Sequence, residues 1–123
     1  MRKTKRILVI DDESDICITL SNVLEGDGFV VHTFDDPLLA LEDFREDLYD
    51  LLILDIKMKK ISGFELYKEI KKIDNKVQVC FLTSSQINCG SCIDEPSDLK
   101  KNQFIQIPIQ NEELIKIINE ITS

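Results

Sequence analysis

The sequence contains no tryptophan, one histidine, four glycines and three prolines. It has no glycine-rich loop of the kind that holds phosphates and no second catalytic pair, so a dedicated enzyme for a small-molecule substrate is the least favoured class. The longest uninterrupted hydrophobic runs are only a handful of residues, which excludes a membrane span and argues against a secretory signal. There are no internal repeats and no low-complexity tract.

Basic residues are also scarce, with 15 Lys and Arg against 23 Asp and Glu and a net charge of -8. This charge opposes binding to nucleic acid or anionic lipid. We therefore expect no direct nucleic-acid partner, no membrane partner and a cytoplasmic location. The four cysteines come without a secretion signal, so free thiols in a reducing compartment are expected.

The length of 123 residues fits one domain spanning residues 1–123. Hydrophobic residues make up 43% of the chain and charged residues 31%, which is typical of a globular protein. We expect one core and no second domain.

Hydrophobic runs alternate with amphipathic segments along the chain. Five runs have the composition of strands. They are 6–10, 29–34, 51–55, 77–82 and 104–107. Hydrophobic side chains spaced three or four residues apart predict helices between them. Only the stretch 86–102, with Gly90 and Pro96, is too irregular for more than a short helix around 97–101. This alternation predicts a parallel sheet with helices on both faces.

Several polar residues are placed to cap these helices. Asp12 or Ser14 is expected to cap the first helix, and Asp36 the second, which would begin at Pro37. Asn111 and the two glutamates after it are expected to cap the last helix.

Carboxylates stand where the strands end. Asp11 and Asp12 follow the first strand, Asp55 ends the unbroken hydrophobic third strand, and Thr83 follows the fourth. Open parallel sheets bind ligands in the crevice beyond the carboxyl ends of their strands, so these residues are expected to converge there. Any one of these carboxylates could instead be only a cap or a turn residue.

Three converging carboxylates repel one another, so they either have raised pKa values or hold a cation. An oxygen-only cluster favours a hard ion, and Mg²⁺ is usual where a phosphoryl group is handled. Beside such an ion Asp55 could attack phosphorus, and the Thr83 hydroxyl could hydrogen-bond a transferring oxygen.

Together these motifs resemble the receiver domain of two-component response regulators over essentially the whole chain. The motifs are Asp11-Asp12, Asp55 followed by Met58, Gly63 eight residues beyond Asp55, Thr83-Ser84, and Phe104 with Pro108. The resemblance implies a flavodoxin-like, doubly wound sheet of five parallel strands in the order 2-1-3-4-5.

The resemblance also implies a magnesium site. Asp55 matches the phosphoacceptor, Asp12 the direct metal ligand and Asp11 a ligand acting mainly through water. Lys57 matches the position that supplies a backbone carbonyl to the metal. Such a domain is not an enzyme beyond its own phosphorylation and dephosphorylation.

For signalling, the resemblance implies that Thr83 is the switch hydroxyl and Phe104 the aromatic that changes orientation on activation. The phosphoryl donor would be a histidine kinase or a phosphotransfer protein, and a downstream protein would dock on the face built from helix four, strand five and helix five. We expect a stand-alone receiver, and a homodimer is left open.

Two positions depart from the family pattern. Ile107 stands immediately before Pro108, where receivers carry a lysine that reaches the phosphoryl group, so a weakened switch is expected. Lys59 stands where the family usually has proline. The stretch between Thr83 and Ile107 is also slightly longer than usual.

Two alternatives remain. The domain could be a pseudo-receiver, a constitutive interaction module whose acidic pocket is a remnant. It could also be a thiol redox sensor acting through Cys89 and Cys92, although one such pair is weak evidence. The lone histidine, His32, lies within a predicted strand and is interpreted as structural.

Overall fold

The computed structural model describes residues 4–83 and 103–123. Within these two segments, strands and helices alternate along the chain. The elements are β1 (Arg6–Ile10), α1 (Ser14–Gly26), β2 (Val30–Phe34), α2 (Pro37–Asp43), β3 (Leu51–Asp55), α3 (Gly63–Ile73), β4 (Gln78–Thr83), β5 (Phe104–Gln106) and α4 (Asn111–Thr122).

The five strands form one parallel sheet in the order β2-β1-β3-β4-β5, which confirms the predicted fold. Ile10 at the end of β1 pairs with Leu54, and Asp55 at the end of β3 pairs with Leu82. This register aligns the carboxyl ends of β1, β3 and β4, with β3 in the centre of the sheet.

Successive strand residues point to opposite faces of the sheet, so the protein has two hydrophobic layers. The layer under α1 and α4 contains Ile53 and Ile105, and the layer under α2 and α3 contains Leu54 and Phe81. Residues Leu51–Leu54 are 0% exposed, because both faces of β3 are covered by helices. This explains why the third strand is hydrophobic without alternation.

The elements differ from the predicted ones mainly at their ends. β2 begins at Val30 because the Phe29 amide instead donates to the Leu24 carbonyl at the end of α1, at 3.1 Å. β4 is displaced by one residue, and β5 ends at Gln106. The short helix predicted around 97–101 lies outside the described residues.

The helix caps were predicted with mixed success. Asp36 caps α2 as predicted, accepting hydrogen bonds from the amides of Leu38 and Leu39. The cap predicted at Asn111 is wrong, because α4 already includes Asn111 and the capping position is Gln110.

His32 lies on the edge strand β2, and its Nδ1 is 2.9 Å from the Tyr49 hydroxyl. The two rings meet edge to face. This contact supports a structural role for the histidine. Every helix in residues 4–83 and 103–123 is too short or too polar to span a bilayer.

Candidate functional site

Asp11, Asp12 and Asp55 form an acidic cluster at the carboxyl end of the sheet. One carboxylate oxygen of each lies within 4.8 Å of one from each of the others. Asp11 follows β1 directly and Asp55 is the last residue of the neighbouring β3. The parallel register therefore brings together residues that are far apart in sequence.

Each carboxylate of the acidic cluster accepts a hydrogen bond from one backbone amide. The Glu13 amide donates to Asp11 Oδ1 at 2.9 Å, and the Lys57 amide donates to Asp55 Oδ1 at 3.3 Å. The Lys59 amide donates to Asp12 Oδ2 at 3.0 Å. One oxygen of each side chain is thus held by the backbone, and a second oxygen remains for the pocket.

Asp11 is fully buried, and its Oδ2 has no hydrogen-bond partner within the described segments. A buried carboxylate oxygen without a donor is costly, because the lost hydration is not replaced. Such an oxygen, on a side chain that lies beside two further carboxylates, fits the ligand set of a hard cation.

Helix capping does not account for the cluster. The residue at the N-cap of α1 is Glu13, whose side chain makes no capping hydrogen bond, so the prediction that Asp12 or Ser14 is the cap is wrong. Asp11 accepts from the Glu13 amide just before the helix, while Asp12 bonds to the loop between β3 and α3.

Burial and mutual repulsion perturb the cluster. Burial is the largest cause that raises the pKa of Asp55 to about 7, followed by the negative charge of Asp11. Burial also raises the pKa of Asp11 above its usual value, although the hydrogen bond from the Glu13 amide acts in the opposite direction. Without a cation, the cluster therefore resists full ionisation near neutral pH.

The loop between β3 and α3, residues 56–62, turns back tightly beside Asp55. The Gly63 amide donates to the Ile56 carbonyl at 2.9 Å. A Cβ at Gly63 would be 3.0 Å from the Asp55 carbonyl carbon and would overlap the Asp55 carbonyl oxygen. Only glycine fits there without a shift of the backbone.

Thr83 is the last residue of β4, next to the strand of Asp55, and is only 7% exposed. Its backbone carbonyl accepts a hydrogen bond from the Ile107 amide at 2.8 Å. Ile107 therefore lies beside the end of β4, and its partly buried side chain packs against the hydrophobic layer under α1 and α4.

Phe104, at the start of β5, is half-buried and packs on the opposite side of the sheet from Ile107. It stacks on Phe81 with ring centroids 5.8 Å apart and meets Phe64 edge to face at 6.4 Å. It is placed in an aromatic cluster rather than in the acidic pocket.

Sequence reasoning missed two contacts of the loop between β3 and α3. One is the Lys59 amide on Asp12, and the other is an ion pair between Lys60 Nζ and Asp36 Oδ2 at 2.6 Å. The sequence gives almost no signal for the hydrogen bond from the Lys59 amide, because every residue except proline has a backbone N–H. Cys89 and Cys92 lie outside the described residues.

The sheet is doubly wound and parallel, in the order 2-1-3-4-5, and it has an acidic crevice at the ends of its central strands. These two features define a receiver-like α/β domain. The chain belongs to the response regulator receiver domain family, whose sequence model matches residues 7–119. It is thus the receiver domain of a two-component response regulator.

Individual relatives agree with this assignment. The chain is 36% identical over 118 residues to the transcriptional regulatory protein CpxR homolog of Haemophilus influenzae, covering 94% of this chain and 49% of that protein. It is 33% identical over 97 residues to the response regulator receiver protein CpdR of Brucella abortus, covering 78% of this chain and 81% of CpdR. The chain spans about half the length of the CpxR homolog and only 18% of ZraR of Klebsiella oxytoca.

Solved structures agree as well. The response regulator TrrA of Thermotoga maritima, in complex with Mg²⁺-BeF, matches with a TM-score of 0.75 and 30% identity, covering 96% of this chain and 99% of TrrA. A CheY-like receiver domain protein of Methanospirillum hungatei matches with a TM-score of 0.77 and 24% identity, covering 96% of this chain and 93% of that protein. Because the identity is low, this match supports the fold alone.

Proposed function

We propose that this receiver accepts a phosphoryl group on Asp55 in a Mg²⁺-dependent reaction and signals by protein contact. The donor would be a histidine kinase or a phosphotransfer protein in the cytoplasm. The observation that carries the proposal is the acidic cluster, in which three carboxylates meet within 4.8 Å and Asp11 Oδ2 is buried without a hydrogen-bond donor.

The metal would be held by Asp11, Asp12 and Asp55, together with the backbone carbonyl of Lys57. When bound, Mg²⁺ neutralises the charge that develops on the transferring phosphoryl oxygens. The related TrrA was solved with Mg²⁺-BeF, which supports the assignment of this ion.

Asp55 would act as the nucleophile. Its carboxylate attacks the phosphorus of a phosphohistidine, a P–O bond forms as the P–N bond breaks, and the imidazole leaves with a proton from solvent. Because the pKa of Asp55 is raised to about 7, part of the cation-free population is protonated near neutral pH and cannot attack. Occupation of the site by a cation favours the reactive carboxylate.

Thr83 is the proposed switch hydroxyl, since it ends the strand beside Asp55. Phe104 is the proposed switch aromatic, and it would have to leave its contacts with Phe81 and Phe64 to reorient.

Ile107 offers neither a charge nor a hydrogen-bond donor to the phosphoryl group. We therefore propose that the conformational change caused by phosphorylation reaches α4 only weakly.

Incubation with acetyl phosphate and Mg²⁺, followed by intact mass spectrometry, tests the proposal. We expect the mass gain of one phosphoryl group in the wild type, its loss in Asp55→Asn, and its loss when EDTA replaces Mg²⁺. Asp43→Asn, at an exposed position on α2, is the matched control and should be phosphorylated normally. No gain in the wild type under saturating Mg²⁺ would refute phosphoacceptance and favour the remnant pocket of a pseudo-receiver.

We propose that residues 1–123 form a single receiver domain. Size-exclusion chromatography with light scattering, with and without acetyl phosphate, would reveal whether the domain dimerises.

A further inference from the structure

We propose that the backbone amide of Lys59 is a positioning group that holds Asp12 in the orientation needed to bind a cation. The inference rests on the proposed metal site and adds to it a contact between two distant parts of the chain. The Lys59 nitrogen is 3.0 Å from Asp12 Oδ2, although the two residues are 47 positions apart.

The other two carboxylates of the acidic cluster do not depend on such a contact. Asp11 is buried and is held by the amide of Glu13, two residues away. Asp55 belongs to the central strand and is held by the amide of Lys57, also two residues away. Each of these side chains is therefore fixed by its own segment of the chain.

Asp12 is different, because it is partly exposed and lies in the short link between β1 and α1. Repulsion from Asp11 and Asp55 favours turning its carboxylate out to solvent. The Lys59 amide opposes this movement by donating a hydrogen bond to Asp12 Oδ2. Partners that orient metal ligands in this way commonly contribute about 10-fold or more to metal affinity.

The donor exists only because position 59 is not the proline usual in the family, which has no backbone N–H, so the inferred role is specific to this chain. The lysine side chain is not part of the contact, so the inferred role belongs to the main chain. Next to it, Lys60 pairs with Asp36 at the start of α2, which gives the loop a second attachment. This pair is exposed and is expected to contribute little.

Two substitutions separate the amide from the side chain. Lys59→Ala keeps the N–H and removes the ammonium group, whereas Lys59→Pro removes the N–H. Mg²⁺ affinity would be measured by calorimetry at pH 7 and fixed ionic strength, with circular dichroism to compare the folds. We expect Lys59→Ala to bind Mg²⁺ within about 2-fold of the wild type and Lys59→Pro to bind about 10-fold more weakly.

Equal affinities in the two variants would overturn the inference, whether both match the wild type or both are weakened. Failure of the wild type itself to bind Mg²⁺ would overturn the proposed metal site together with this inference. The two failures are distinguishable because the second appears without any substitution.

The Lys59 amide proton provides a second measurement that does not require a proline variant to fold. In Asp12→Ala, this proton should lose its acceptor, move upfield and exchange faster with solvent. The Lys57 amide, which donates to Asp55, is the internal reference and should change little. An unchanged Lys59 amide in Asp12→Ala would overturn the inference.

Discussion

Gly63, the first residue of α3, packs directly against the backbone of Asp55. A side chain at position 63 would overlap the Asp55 carbonyl oxygen, and its Cβ would lie 3.1 Å from the Ile56 Cα. The start of α3 thus sets the position of the last residue of β3. The requirement for glycine arises from this close approach.

Gly63→Ala should therefore lower both stability and cation binding. The added methyl group must push α3 away from Asp55, and such overpacking costs about 1–3 kcal/mol of unfolding free energy. Urea denaturation and Mg²⁺ titration would measure the two effects. Gly26→Ala is the control, because a Cβ there meets nothing within 4 Å, and it should be neutral or slightly stabilising. Equal stability of the two variants would contradict this packing argument.

The raised pKa of Asp55 predicts how stability depends on pH when no divalent cation is present. Between its ordinary value of 3.8 and about 7, folded Asp55 keeps a proton that the unfolded chain has released. The contribution of this proton to the unfolding free energy is therefore fully present below the lower of these two pKa values, and it is lost as pH rises through about 7. The slope for one group is at most about 1.4 kcal/mol per pH unit.

Urea denaturation in EDTA between pH 5 and 8 would test this dependence. Asp55→Asn should flatten the profile, and Asp43→Asn should leave it unchanged. Since a bound cation favours the ionised form, saturating Mg²⁺ should stabilise the wild type most at the upper end of this range. If the unfolding free energy of the wild type changed with pH in the same way as that of Asp55→Asn, the raised pKa would be contradicted.

The strands and the acidic cluster were predictable because strong physical signals mark them. The unbroken run Leu51–Leu54 indicated a strand covered on both faces, and a parallel sheet places the carboxyl ends of its strands at one edge. The strand order implied by the family resemblance then put Asp11 beside Asp55. These conclusions depend on side-chain chemistry and on the order of the elements, both of which can be read from sequence.

The contacts that orient the cluster could not be predicted in the same way. The hydrogen bond from Lys59 to Asp12 involves a main-chain group, so the residue type carries almost no information about it. The cap of α1 was assigned wrongly for a related reason. Asp12 is a good capping residue by type, but its carboxylate is engaged by a distant loop.

Cys17 and Cys80 should be unreactive in the folded protein. Burial is the main cause that raises the pKa of Cys17 to about 11, and it raises the pKa of the fully buried Cys80 further. Both are therefore thiols, not thiolates, at neutral pH. Alkylation with iodoacetamide at pH 8 and peptide mass mapping should modify them only after denaturation. Rapid labelling of either cysteine in the native protein would contradict this burial.

The same mapping addresses the redox alternative. If Cys17 and Cys80 are protected, any thiol chemistry of the native chain must come from Cys89 and Cys92. Absence of a disulfide between these two under mild oxidant would dismiss the sensor.

Ile107 allows the proposed weak switch to be tested by substitution. Ile105 and Ile107 pack in the same hydrophobic layer as Ile53, two residues before Asp55, so side chains at 107 and 55 project to the same side of the sheet. Isoleucine at this place joins the layer under α1 and α4 and gives a phosphoryl group no partner. A lysine there could form a charge-assisted hydrogen bond with it.

We therefore expect that, in the wild type, beryllofluoride with Mg²⁺ changes amide chemical shifts near Asp55 but barely changes those of Phe104 and α4. In Ile107→Lys the changes should extend to Phe104 and α4, although stability should fall by about 1 kcal/mol because the half-buried isoleucine is lost. Ile107→Met, which conserves volume without adding charge, should behave like the wild type. Large chemical-shift changes across α4 in the wild type would contradict the weak switch, because the signal would then cross the sheet without a cation at position 107. The contact of Phe104 with Phe81 would then be the route to examine.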